Sequence, residues 1–92
     1  MKFLLDTCVI SELSRKKPNP KITKWISSIN ENNLFLSVLT IGEIYKGVEK
    51  LPNSQKKSRL YSWVDSELQE RFSNRILDFD ILTASVWGKI QA

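Results

Sequence analysis

The 92-residue chain contains no histidine and a single cysteine, Cys8. Without histidine, chemistry that rests on an imidazole base, a Ser-His or Cys-His pair or an imidazole metal ligand is excluded. One cysteine makes no internal disulfide and no thiolate zinc cluster. Only a helix N-terminus could activate Cys8, so it reads as a small packed residue and not as a nucleophile. Glycine and proline number three each, too few for a collagen-like or low-complexity chain. No run of about 20 apolar residues is present, so no segment reads as a membrane span. The opening run Met1-Lys2-Phe3-Leu4-Leu5 breaks at Asp6 without a small-residue cleavage pattern. It does not read as a signal peptide, and a cytoplasmic protein is expected.

What is present is the composition of an ordinary globular chain, 41% hydrophobic and 26% charged. Residues 1–92 are expected to form one small domain, below the usual size of about 100–150 residues. Charge is uneven: residues 1–60 carry eleven Lys/Arg against five Asp/Glu, and residues 61–92 carry three against five. A basic lobe of net +6 beside an acidic one of −2 suits either an anionic partner such as nucleic acid or a lysine-rich solvated surface.

Short apolar runs alternate with helical periodicity. Lys2–Leu5 reads as a strand, followed by a turn at Asp6-Thr7-Cys8 and a short helix over Val9–Ser14. Pro20 suits a helix first turn, and Ile22, Trp25, Ile26 and Ile29 give that helix one apolar face, ended by Asn30–Asn33. Leu34–Val38 is the second strand. Thr40 opens a helix whose stripe is Ile41, Ile44, Tyr45 and Val48, closed by Pro52-Asn53. Ser54–Phe72 is the longest helical segment, with Leu60, Val64, Leu68 and Phe72 at strict four-residue steps. Ile76–Phe79 is the third strand, and Asp80 caps a last helix carrying Val86, Trp87 and Ile90. Trp25 and Trp87 read as core, whereas Trp63, beside Tyr61, reads as an interface residue. Strand and helix alternating three times, with runs too apolar for half-exposed strands, predict an α/β fold with a parallel sheet. Such sheets usually hold about four to six strands, and the sequence reaches Ala92 inside or just after a helix. A further strand is therefore expected, and the domain reads as incomplete.

Two acids stand out by position. Asp6 lies at the carboxyl end of the first strand, where open α/β sheets place their binding crevice. Glu43 lies early in the helix after the second strand, near the same edge. Two carboxylates meeting there without histidine or a cysteine cluster favour a hard cation such as Mg²⁺ or Mn²⁺. Each acid also has a plain structural reading. Thr40-x-x-Glu43 is a capping-box pattern, and Asp6 suits a helix N-cap. Thr7, Ser37 and Thr40 suit either turn and cap roles or hydrogen bonds to a metal-bound water. Asp78 and Asp80 flank the third strand, one as a solvated strand-end acid and the other as a helix cap. Lys56-Lys57-Ser58-Arg59 with Tyr61 suits a solvated helix face or contact with phosphate.

Several spaced motifs carry a resemblance in the same order along the chain. Met1-Lys2-Phe3-Leu4-Leu5-Asp6-Thr7-Cys8-Val9-Ile10-Ser11-Glu12-Leu13, the loop Lys17-Pro18-Asn19-Pro20 and Leu36-Ser37-Val38-Leu39-Thr40-Ile41-Gly42-Glu43-Ile44-Tyr45-Lys46-Gly47 resemble the PIN-domain toxins of VapC type. Arg75-Ile76-Leu77-Asp78-Phe79-Asp80 and Val86-Trp87-Gly88 are similar to that family's third strand and following helix. The resemblance implies a PIN-like parallel sheet with helices on both faces, strand order 3-2-1-4-5, here truncated to three strands. It also implies a Mg²⁺- or Mn²⁺-dependent endoribonuclease that cleaves RNA, acting as the toxin of a type II toxin–antitoxin system with a cognate antitoxin of VapB type as partner. Asp6 matches the family's first metal-site acid and Glu43 its second, while Thr7 and Thr40 fall where the family often places supporting hydroxyls. Cys8 stands where many members carry Asn.

The family continues past the matched region with strands four and five, a third acid and usually a fourth. On that basis this chain alone is expected to be a weak or inactive nuclease. Without strand four, Lys2–Leu5 becomes an apolar sheet edge, which predicts a homodimer or sheet-edge association. Two other readings stay open at this level. One is a non-catalytic PIN-like module that docks an antitoxin in a groove between its helices or self-associates. The other is a plain fragment whose acids only cap helices.

Overall fold

The computed structural model describes the backbone of all 92 residues and every side chain except those of Trp87, Ile90 and Gln91, so the expected core role of Trp87 and the apolar role of Ile90 lie outside the described side chains. Strand β1 (Phe3–Leu4) leads into α1 (Thr7–Leu13) and α2 (Pro20–Ser27). A 3₁₀ turn over Glu31–Asn33 feeds β2 (Leu34–Ser37), followed at once by α3 (Val38–Glu49). Helix α4 (Gln55–Ser62) runs on through a π-helical stretch, Trp63–Leu68, into the short α5 (Gln69–Arg71). Strand β3 (Ile76–Leu77) and α6 (Ile81–Gln91) complete the element order.

All strand pairs are parallel, in the order β1-β2-β3, so β2 is central. Phe3 pairs with Leu34 and Leu36 with Ile76, and the amide of Leu5 extends the first ladder by donating to the Phe35 carbonyl at 2.9 Å. The parallel three-stranded α/β sheet and the order 3-2-1 are as the sequence and the resemblance implied. The strands are shorter than their apolar runs, because only residues with a partner on β2 enter a ladder. No helix among the described residues is long and apolar enough to cross a membrane.

The core lies between the sheet and the long helical segment and includes Leu5, Ile10, Leu34, Leu36, Ile44, Val48, Val64, Leu68 and Phe72. A strict four-residue repeat runs ahead of an α-helix with 3.6 residues per turn. The wider i→i+5 turns of the π-helical stretch absorb that excess and return Val64 and Leu68 to one buried face with Phe72. The segment ends at Asn74, whose φ of 65° is the left-handed conformation that asparagine tolerates. Helix α2 departs from expectation: Ile26 is buried, but Trp25 is 41% exposed and packs edge-on to Phe3 with ring centroids 5.3 Å apart. Trp63 is half-buried against the core and not set out on the surface.

Candidate metal centre

Asp6 follows β1 and is the N-cap of α1, its Oδ1 accepting from the Val9 amide at 2.9 Å. Capping satisfies an otherwise orphaned helix amide and fixes the carboxylate at the carboxyl end of the strand. The cap engages one oxygen of a group with about four acceptor sites, so capping and ligation are compatible.

Glu43 is freed from its structural reading. Helix α3 starts at Val38, not Thr40, with Ser37 as its N-cap. Ser37 Oγ accepts from the Thr40 amide at 3.2 Å and donates to Thr40 Oγ1 at 3.4 Å, so the capping-box register from Thr40 to Glu43 does not form. The reason is local: Ser37 ends β2 in extended conformation and is itself a good cap, so the helix begins two residues sooner. Glu43 then lies beyond the first turn, and its Oε2 accepts a hydrogen bond from Thr7 Oγ1 at 2.8 Å. Thr7, the residue after Asp6, thus ties the start of α1 to α3 through the Glu43 carboxylate.

Asp6, Thr7, Ser37, Thr40 and Glu43 line one cavity of about 540 Å³ over the carboxyl ends of the strands. Asp6 and Glu43 are exposed, Thr7 is half-buried and Thr40 is buried. Among the described residues, ion pairs within 4 Å join arginines to Glu12 and Glu31, and neither Asp6 nor Glu43 has a cationic partner. Two carboxylates without a cationic partner, with hydroxyls around them, give a donor set dominated by oxygen, which fits a hard divalent cation. Among the described residues no group of three His, Cys, Asp or Glu side chains is close enough to hold a metal, so the set stands at two acids.

The opposite wall holds Asp78 and the apolar side chains of Leu77 and Val86. The sequence reading took Asp78 only as a solvated strand-end acid. Its position just past β3, as Asp6 is just past β1, is the signal that places it on the same cavity. Asp80 is the N-cap of α6, and hydrogen bonding from Thr83 holds its carboxyl below the usual value. Cys8 corrects the packed-residue expectation: it is exposed and lines the cavity.

Comparison with known proteins agrees with this geometry. The PIN domain family model matches residues 3–92. Toxin FitB of Neisseria gonorrhoeae is 36% identical over 90 residues, covering 98% of this chain and 65% of the relative. The plasmid stability protein StbB of Pseudomonas syringae pv. tomato is 33% identical over 90 residues, with coverage of 98% and 65%. The solved structure of FitAcB from Neisseria gonorrhoeae superposes with a TM-score of 0.82 at 36% identity, over 96% of this chain and 63% of that one. This chain therefore spans less than two thirds of the length of these relatives. A family match over nearly the whole sequence, a relative more than a third identical and a superposable fold agree: the chain belongs to the PIN-domain family, beside a relative named as a toxin.

Proposed function

We propose that Asp6 and Glu43 are metal-binding acids of a divalent-cation-dependent endoribonuclease toxin, with Mg²⁺ or Mn²⁺ as cofactor, RNA as substrate and a cognate antitoxin as protein partner. One observation supports the reading: Asp6 and Glu43 line one cavity, the Thr7 hydroxyl next to Asp6 donates to Glu43, and among the described residues neither acid has an ion-pair partner. A relative named VapC ribonuclease Y4jK, from Sinorhizobium fredii, is 27% identical over 98% of this chain and supports the RNA-cleaving class. The names FitAB and FitAcB on the solved relatives support a two-protein assembly.

When bound, the ion would activate a water and neutralise charge on a phosphodiester. This chain's own residues supply the negative charge that holds it and the hydrogen bonds that aim that charge. The Val9 amide fixes Asp6, and the Thr7 hydroxyl fixes Glu43. Thr40 and Ser37 line the same cavity and would offer hydroxyls to a metal-bound water. Mg²⁺ binds through as few as one or two carboxylates plus substrate phosphate, so two acids hold it weakly. Loss of positioning by about 1 Å costs on the order of 10²-fold in rate, so RNA cleavage by this chain alone is expected to be poor.

The test is a Mn²⁺ titration of the chain, read by the electron paramagnetic resonance of free Mn²⁺, with RNA cleavage scored in parallel. Weak binding that is lost in Asp6→Asn/Glu43→Gln supports the metal assignment; equal binding in both proteins overturns it. Efficient Mn²⁺-dependent cleavage that disappears in Asp6→Ala would overturn the expectation of poor activity.

A second reading, a non-catalytic module that self-associates, draws on the apolar surface beside the open β1 edge. Leu4 is 59% exposed there, and Leu77 and Val86 stand exposed on the same cavity. Pairing of a second copy along β1 would cover the Leu4 side of this surface, whereas Leu77 lies on β3 at the other edge of the sheet. Sedimentation that shows one monomeric species at every concentration excludes this reading.

A further inference from the structure

The cationic side chains after α1 and at the start of α4 serve neither the fold nor the acid pair in full. Arg15, Lys16, Lys56 and Arg59, with Gln55, line one open cavity of about 790 Å³ whose lining holds no acid. Arg15, Lys56 and Arg59 also line a second cleft, of about 300 Å³, whose other end is formed by Thr7 and Glu43. Thr7 and Glu43 in turn belong to the cavity of Asp6. The three hollows share these side chains in sequence, so a row of neighbouring clefts leads from a basic patch to the acid pair.

The run at 56–59 is not uniform. Lys57 Nζ donates to the carbonyls of Glu49 and Leu51, both at 3.1 Å, and so closes the end of α3. Arg59 donates to the Ser14 carbonyl at 3.0 Å, which holds its guanidinium in place without neutralising it. Arg15 is paired with Glu12 at 3.2 Å. Among the described residues, Lys16 and Lys56 have no acid within 4 Å. Lys56 also sits in the first turn of α4, a turn with no acid, where the helix dipole disfavours a cation. Local stability is given up for positive charge at that position.

We propose that Arg15, Lys16, Lys56 and Arg59 form a track for the phosphodiester backbone of an RNA strand, leading it along the cleft to the Asp6–Glu43 centre. The destination rests on the function proposed above; the track itself rests on the groove. An acidic peptide is the competing occupant. Trp63 lines the cleft between the cations and the acids, an aromatic surface on which a nucleobase stacks and which a polyanionic peptide leaves unused. These four are positioning residues that hold the strand at a distance from the acids.

The experiment is fluorescence anisotropy of a labelled, mixed-sequence single-stranded RNA with the full chain in EDTA, which separates binding from cleavage, across a range of salt. The variant is Lys16→Gln/Lys56→Gln, two exposed side chains without structural hydrogen bonds. The control is Lys21→Gln/Lys24→Gln on α2, with the same loss of charge. The track predicts about tenfold weaker binding for the variant, and a salt slope lower by about 1.4 at roughly 0.7 per lost phosphate contact. The control should lose about twofold or less. Equal losses in both double variants, or unchanged binding at Lys16 and Lys56, overturn the track. Tighter binding of a labelled poly-glutamate peptide that depends on the same two lysines overturns the choice of RNA. Asp6→Asn/Glu43→Gln should still bind RNA. If the wild type binds RNA through the two lysines but takes up no Mn²⁺, the metal reading fails and the track stands. If it takes up Mn²⁺ but binds no RNA, the track fails alone.

Discussion

Two clusters of charge sit at opposite ends of the same sheet and are built in opposite ways. At the amino ends of β2 and β3, Glu31 is clamped by Arg71 and Arg75, each at 3.0 Å. Arg75 also donates to the carbonyl of Leu34 at 2.8 Å, and both guanidinium groups stack near the ring of the buried Phe72, at 5.0 and 5.6 Å. On the other side, Asp6 and Glu43 receive one amide and one hydroxyl and, among the described residues, no cation. The first cluster satisfies its own charge; the second leaves its charge unmet. Acids alone do not mark a site, and what matters is whether the protein has neutralised them already.

The contrast is broken most strongly beneath the clamp. Phe72 is fully buried and carries both arginines, so Phe72→Ala should cost about 3–5 kcal/mol. Chemical denaturation monitored by circular dichroism measures that loss. At the other end, Asp6→Asn/Glu43→Gln should move stability by less than about 0.5 kcal/mol, since Asn caps a helix about as well as Asp and the Gln oxygen still accepts from Thr7. The same double variant should lower Mn²⁺ affinity by about 100-fold, close to 2.7 kcal/mol. A clamp variant that loses Mn²⁺ affinity while still folded, or an acid-pair variant that unfolds, would erase the distinction.

Much of this was legible in the sequence, for physical reasons that differ by residue. The alternation of apolar runs and helical stripes exposed the parallel sheet, although not its half-open face, where Leu4 and Leu77 stand exposed. Asp6 was legible because an acid directly after a strand must lie at the sheet's carboxyl edge. Glu43 was ambiguous: Ser37 and Thr40 are both good caps, and only the packed structure decides which one opens α3. The Glu31 clamp was missed because its members lie 40 and 44 residues apart, and no local pattern brings them together. Trp25 was misread because helical spacing gives the apolar face but not how much of it a three-stranded sheet can cover.

A finer test lies inside the acid pair. Thr7→Val keeps the side-chain shape and removes the hydroxyl that aims Glu43. Second-sphere hydrogen bonds to a metal ligand are worth about 10–100-fold in affinity, and the low end applies to an exposed carboxylate. About tenfold weaker Mn²⁺ binding is expected, with cleavage falling in parallel if the chain cleaves. Unchanged affinity would mean that Glu43 is held by packing and that the Thr7 hydroxyl does not aim it.

The smallest effect concerns proton binding at the clamp. Burial by itself raises the Glu31 carboxyl, but hydrogen bonds and charge from Arg71 and Arg75 outweigh it and hold the group below its ordinary 4.5. A carboxyl depressed in the folded state contributes stability that is fully present above its unfolded value, near 4.5, and is lost as pH falls through the lower folded value. Glu31 is 44% exposed and solvent screens the pair, so the contribution at neutral pH is about 1 kcal/mol or less. The measurement is the stability difference between the wild type and Glu31→Gln at pH 7 and again at pH 3. It should shrink toward zero at the lower pH, and it should also fall in high salt at pH 7, where the Debye length contracts to about 3 Å at 1 M. A difference that persists at pH 3 would assign the effect to packing of the Glu31 side chain on Arg71 and Arg75. The clamp would then stabilise by shape, and charge neutralisation would no longer be what separates it from the acid pair.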